Sequence, residues 1–433
     1  MTRSALAISA LLLFIVALPI ASWRFLLELP SIVASPSVPA SCGKTYPPSK
    51  LVFNRTAKTS QPRGLPEITN VQIVDLDGDG HNEILACDSS RSCLIQQSLD
   101  SNGKWSEQVL LTDLSAPAHV TAVDIDGDGD QDLVIAILGN LLPDDSLVGR
   151  VELYERKEHG YERHVLLDDV RRVADVQAGD LDGDGDVDLA VAVFGYSRGE
   201  VLWLEQQPKL KFESHELLNA PGAIHVPIAD FDGDGDLDIA SVISQDEEEI
   251  WGFENLGHGQ FKPHRLWMTV NLDLGSAGLV YADLDHDGDQ DLLLPAGDNL
   301  EDFDAYGQPY HGCYWFENRG GWKFAEHRIA DLPGTYAAAA ADLDRDGDMD
   351  VVLVSMTNDW ANPAAASIVW LENDGTQTFR CWQLDTQPIH LVTVAAGDLN
   401  GDGLIDIVGG SLNLRGPFQR IGHITAWIQG GLR

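Results

Sequence analysis

The chain has 433 residues, 44% of them hydrophobic, and a formal net charge of −40. That composition supplies ample material for a core, and the length suits either two or three ordinary domains or one long repeat array. So negative a chain repels polyanions, which excludes nucleic acid and acidic membrane surfaces as partners.

In chain order, Met1-Thr-Arg leads into the apolar run Ala5–Ala21. A short basic start followed by such a run predicts an export signal over 1–22. No small-x-small cleavage site follows, so a retained membrane anchor is the alternative, although a spanning helix needs about 20 apolar residues. Residues 23–48 read as a linker punctuated by Pro and Ser, and 49–433 as one repetitive body.

The body is organised by seven nine-residue acidic stretches whose first residues lie 49 to 59 positions apart. Their odd positions are Asp75, Asp77, Asp79, His81 and Glu83; Asp124, Asp126, Asp128, Asp130 and Asp132; Asp180, Asp182, Asp184, Asp186 and Asp188; Asp230, Asp232, Asp234, Asp236 and Asp238; Asp283, Asp285, Asp287, Asp289 and Asp291; Asp342, Asp344, Asp346, Asp348 and Asp350; and Asp398, Asn400, Asp402, Leu404 and Asp406. The sixth position is Gly every time, from Gly80 to Gly403. A hard cation such as Ca²⁺ takes six to eight oxygens at about 2.3–2.6 Å, and an Asp-x-Asp-x-Asp-Gly loop delivers them within one turn. Side chains one, three, five and nine and the carbonyl of residue seven are the expected ligands, which is how His81 and Leu404 belong to the set. Solvated acidic turns would not need a glycine at one position seven times. The pattern predicts up to seven Ca²⁺ ions in a structural role.

Around each loop the residues read as strands. A small apolar strand precedes it, as in Val71–Val74, Val173–Gly179 and Leu391–Gly397, and an all-apolar strand follows, as in Leu133–Leu138 and Val351–Val354. Such runs bounded by turns fit strands buried on both faces. A third strand carries aromatics, as in Trp251-Gly-Phe-Glu-Asn255 and Tyr314-Trp-Phe-Glu-Asn318, and a fourth carries Phe with His or Trp three places on. Four strands per unit and seven units predict an all-β, seven-bladed propeller of four-stranded antiparallel blades. Only two strands have room after the seventh loop, so the segment around Leu51-Val-Phe53 is expected to supply the outermost strand of the last blade and close the ring.

Asp-x-Asp-x-Asp-Gly-x-x-Asp between strands, then Trp-Phe-Glu-Asn-x-Gly and Phe-x-x-His, resembles the FG-GAP/VCBS repeat family from about Leu51 to Arg433. The resemblance implies the integrin-α-like calcium-binding propeller, with the metal loop joining the innermost strand to the second. It does not imply one function, because the family spans adhesion modules, lectins and lyases.

On that architecture, variable connections gather on the face opposite the metal loops, where binding usually lives. They carry Tyr306, Tyr310, His311 and Trp360, while His119, Arg171, Arg172, His225, Tyr336 and His390 stand near the starts of innermost strands and would ring the channel mouth. These groups would suit an anionic sugar or a transition metal, or they are loop residues bonded to nearby backbone. The histidines of the fourth strand (His164, His215, His264 and His327) read as structural, each packing or bonding between blades. No nucleophile elbow, phosphate loop or haem motif occurs. The reading is an exported binding or adhesion module, extracellular, periplasmic or anchored facing outside, for carbohydrate or a protein surface; a polysaccharide lyase or hydrolase using the His and Arg residues is the alternative. Cys87 and Cys93, close together on a hairpin, suggest a disulfide.

Overall fold

The computed structural model describes residues 44–56, 65–100, 103–142, 144–245, 247–298, 300, 307–414 and 416–432. The expected export signal or anchor, most of the linker and Tyr306 lie outside the described residues. The strands form seven separate antiparallel sheets. After β1 (Leu51–Thr56), blade one is β2 (Ile68–Val74), β3 (Glu83–Asp88), β4 (Cys93–Leu99) and β5 (Trp105–Thr112). Blade two is β6 (Pro117–Val123), β7 (Asp132–Ile137), β8 (Gly149–Lys157) and β9 (Gly160–Val170). Blade three is β10 (Arg172–Gly179), β11 (Asp188–Phe194), β12 (Glu200–Gln207) and β13 (Lys211–Asn219). In blade four Pro227, which has no N–H to give a ladder, splits the first strand into β14 (Ala223–His225) and β15 (Ile228–Ala229); β16 (Asp238–Ser244), β17 (Glu248–Asn255) and β18 (Phe261–Thr269) follow. Blade five is β19 (Val280–Ala282), β20 (Asp291–Ala296), β21 (Gly312–Asn318) and β22 (Phe324–Ala330), and blade six is β23 (Thr335–Ala341), β24 (Asp350–Ser355), β25 (Ile368–Glu372) and β26 (Arg380–Asp385). Blade seven is β27 (Leu391–Gly397), β28 (Asp406–Ser411) and β29 (Ile424–Leu432), with β1 as its fourth strand.

The ring closes as the strand arithmetic predicts. β1 runs antiparallel to β29, with Arg55 opposite Trp427 and Thr56 opposite Ala426. Just ahead of it, Lys50 Nζ reaches Asp344 at 3.0 Å and Glu372 at 2.5 Å, tying the clasp to blade six. The first strands abut one another around the centre, β2 touching both β6 and β27.

Seven apolar cores lie in the seven seams between consecutive blades, and the second residue of every acidic loop enters one of them. Leu76, Ile125, Leu181, Phe231, Leu284, Leu343 and Leu399 are all buried there, each against the blade that follows. The Asn that ends the aromatic strand locks the same seam. Asn318 Nδ2 donates to Phe231 O of the preceding blade at 2.7 Å and to Gln290 O at 3.0 Å, and Asn255 and Asn373 repeat the arrangement. The Asn side-chain oxygen then accepts the N–H of the glycine two places on, which accounts for the Asn-x-Gly spacing.

Two expectations are corrected. Cys93 pairs with Asp88, not Cys87, so the two thiols face opposite sides of the blade, one in each flanking seam, and both are free. The fourth-strand histidines bond within their blade rather than across blades, to the Glu of the aromatic strand: His164 to Glu155, His215 to Glu205, His264 to Glu254 and His327 to Glu317, at 2.6–2.9 Å. His264 also stacks on Trp322 of the next blade, with centroids 4.9 Å apart.

Candidate functional sites

Each acidic loop is folded by its own carboxylates. Every first Asp accepts the backbone N–H of position six, and in four loops also that of position four, as Asp180 does from Gly185 at 3.1 Å and Gly183 at 2.8 Å. Position five accepts the N–H two residues on in all seven loops and position three does so in six, as Asp184 does from Asp186 and Asp182 from Asp184. Position six holds φ between +78° and +99°, where only glycine is unstrained. Position four is also left-handed throughout, which explains Gly in five loops; His286 and Arg345 adopt φ of 59° and 62° there. That second glycine preference was visible in the sequence and marks the turn as much as position six does.

The ninth residue is the hub. It opens the second strand, is buried, and uses one oxygen to accept the N–H of position two, as in Asp291 from Leu284 at 3.1 Å. In six loops the other oxygen accepts an N–H from the end of the third strand, as in Asp291 from Asn318 at 2.7 Å. Burial is the main cause that pushes these carboxyls up, Asp188 and Asp406 to about 6 and Asp238, Asp291 and Asp350 to about 7. The backbone N–H groups oppose that rise and neighbouring loop acids add to it.

Whether these residues suit a cation is tested by their oxygens. Carboxylate oxygens of positions one, three and nine converge to within 4.8 Å of one another in the loops led by Asp75, Asp124 and Asp180. Buried oxygens Oδ1 of Asp124, Asp130, Asp283, Asp342 and Asp344 make no hydrogen bond. Oxygen-only donors, inward-facing and incompletely satisfied, fit a hard divalent cation.

The second site lies at the other end of the same strands. A cavity of about 1010 Å³ opens among the starts of the first strands and the 2–3 and 4–1 connections. His119, Arg172, His225, Tyr310 and Tyr336 line it, together with Asp175, Glu248, Asp273, Asp298 and Tyr281. Of the expected ligand residues it therefore gathers five. The other described ones lie elsewhere. His311 is fully buried, its Nδ1 accepting the N–H of Gln308 and of Gly334, and burial pushes its pKa down to about 3, so it is neutral. His390 is buried with Nδ1 2.8 Å from Met356 O, and Trp360 packs on His390 and Ile389. Arg420, in the connection between β28 and β29 of blade seven, donates to the Trp360 carbonyl at 2.8 Å and ties the two connections together. These three side chains brace loops.

Asp175 and Glu248 were missed, although each is conspicuous as an acid at the edge of or inside an apolar strand. Glu248 accepts the N–H of Gly275 at 2.9 Å, and burial lifts it to about 7. Asp175 is 1% exposed. Burial pushes its carboxyl up, but His119, His225, the Val226 N–H and Gln177 outweigh that and hold it below the usual carboxylate range. Arg172 is the only Arg or Lys on the described wall, and its guanidinium stacks 4.5 Å over Phe194. Acids outnumber it, so the cavity does not favour an anionic sugar.

A model of the FG-GAP-like repeat matches residues 75–135, 180–241, 230–294 and 297–353, more than half the chain. No curated protein matches it. Among solved structures the chain resembles BBS1N, crystallised in complex with ARL6DN, with a TM-score of 0.52 at 10% identity over 88% of this chain and 98% of that one. It also resembles a streptogramin B lyase, with a TM-score of 0.54 at 14% identity over 87% and 98% of the two chains. At such identity the likeness concerns the fold.

Proposed function

The chain belongs to the FG-GAP-like repeat family, and from that premise we propose that it is an exported binding module whose ligand is a carbohydrate, held rigid by up to seven structural Ca²⁺ ions. The observation that carries this is the cavity, where three tyrosines, two imidazoles and the amides of Asn70, Gln72, Gln177, Gln245 and Gln308 converge. Tyrosine rings stack on sugar rings, and amides and imidazoles match hydroxyl groups as donors and acceptors. The acid excess on the wall turns the choice toward neutral sugars. Export is supported by the apolar run Ala5–Ala21 and by the cation chemistry, since weak Ca²⁺ sites fill where the ion is plentiful. A protein surface is the alternative partner.

The test is a glycan and polysaccharide panel, run with Ca²⁺ and again with a chelator. Binding of neutral glycans that is lost on chelation, with no shorter sugar released, is the expected result. Release of product would replace binding by cleavage. A folded, Ca²⁺-responsive chain that binds no sugar would overturn the carbohydrate reading and turn the search to protein partners.

A further inference from the structure

His119, Asp175 and His225 come from the first strands of blades two, three and four and meet on one side of the cavity. Asp175 Oδ1 accepts the Gln177 amide at 3.0 Å, and Oδ2 accepts the Val226 N–H at 3.0 Å. Both donors are neutral, and among the described residues no Lys or Arg pairs with this carboxylate. A buried ionised carboxylate needs a positive partner. The nearest candidates are the imidazoles: His119 Nδ1 lies 3.2 Å from Oδ1, and His225 Nδ1 lies 3.6 Å from Oδ2.

Neither approach is a hydrogen bond. The first is out of line, leaving His119 Nδ1 buried without a hydrogen-bond partner, and the second is too long. Both separations do match ligands that share one metal ion. With bonds of about 2.0–2.1 Å, two donors on a tetrahedral centre stand roughly 3.4 Å apart.

We propose that His119, Asp175 and His225 bind one divalent transition-metal ion of the Zn²⁺ or Co²⁺ class on the cavity wall, with its remaining coordination positions facing the cavity. Two nitrogens and a carboxylate select such an ion over Ca²⁺, which prefers oxygen alone. The loops and the cavity therefore draw on different cations. Gln177 holds the carboxylate from behind, and the Gln72 amide stands 3.4 Å from His119 Nε2. Metal on Nδ1 leaves the proton on Nε2, and that N–H donates to the Gln72 carbonyl oxygen when the amide is turned to the ring. Such outer partners fix ring orientation and tautomer. The His225 ring is 37% accessible, so the ion would be open to a ligand from the cavity. The inference deepens the reading of this cavity as a sugar site: the ion would grip adjacent hydroxyl oxygens of the ligand.

The experiment titrates the full chain with Co²⁺ in excess Ca²⁺, which occupies the loops, and follows visible ligand-field absorption and heat. A single saturable Co²⁺ with a four- or five-coordinate visible spectrum is expected, displaced by Zn²⁺. His119→Ala or Asp175→Asn should weaken it at least about 100-fold, the upper range for loss of a mere outer partner. Both of those residues are buried, so His225→Gln, on the accessible ring, is the second test, and its melting temperature should stay near that of the parent. No Co²⁺ uptake once Ca²⁺ is saturating, or uptake untouched by His225→Gln, overturns the proposal. Sugar binding without Co²⁺ uptake would overturn the metal site alone, and Co²⁺ uptake without sugar binding would overturn the carbohydrate reading alone.

Discussion

Asn318 shows how much a single side chain can hold. Its N–H donates to Asp291, its Nδ2 to the carbonyls of Phe231 and Gln290, and its oxygen accepts from Gly320. Asn318→Ala strands two carbonyls in a buried seam, and should cost about 2 kcal/mol with a melting temperature several degrees lower. A shift of less than a degree would show that the seam does not depend on it. The Asn was visible in the sequence as a repeated motif, but its partner carbonyl lies 87 residues earlier, so the role was not. Asp175 stands out as an acid inside an apolar strand, but the two histidines it meets lie 50 or more residues away on neighbouring blades, so its role was not legible. The loop carboxyls raised to about 6–7 carry a pH prediction for the metal-free chain. Their folded pKa exceeds the unfolded value near 3.9, so the stability they lend is full below about pH 4 and lost as pH rises through about 7. Asp88, Glu152 and Asp175, held low, lose theirs only in acid, outside that window, and the two histidines held low by burial, His311 and His225, gain theirs as pH rises to about 6.5, against five carboxyls that lose it. In chelator the melting temperature should therefore fall between about pH 5 and 7.5. A rise over that range would contradict the burial of the ninth residues.

At the scale of elements, the strand pattern was legible because two-sided burial leaves continuous apolar runs, and the loops because glycine and Asp positions repeat. The clasp was legible only by counting. Its energetics are long-range: Leu51 is 3% exposed in the seam with Trp370 and Trp427, and Lys50 and Arg55 bond residues more than 320 positions away. Deleting residues 49–58 removes the outer strand of blade seven and should lower the melting temperature by many degrees. Leu51→Ala alone should cost about 2–4 kcal/mol. An unchanged melt after the deletion would mean that the ring closes without β1. What the strand pattern could not reveal was which loop aromatics fold inward, because Trp360 and His390 are paired across two connections from different blades.

For the whole molecule, one set of strands separates two tasks. Their ends carry the acidic loops, and their starts build the cavity. A loop cation would sit beside the position-two residue that plugs each seam, so its binding energy would act on blade packing by mass action. Distant cavity geometry would then follow the cations without any contact between them. The most direct measurement is the melting temperature of the chain across a Ca²⁺ titration after exhaustive chelation, with Mg²⁺ as the control. A large, saturable rise is expected with Ca²⁺ and little with Mg²⁺, which demands six tightly placed oxygens and gives up its waters reluctantly. A melt that ignores Ca²⁺ would contradict it, leaving the seven loops as self-bonded turns.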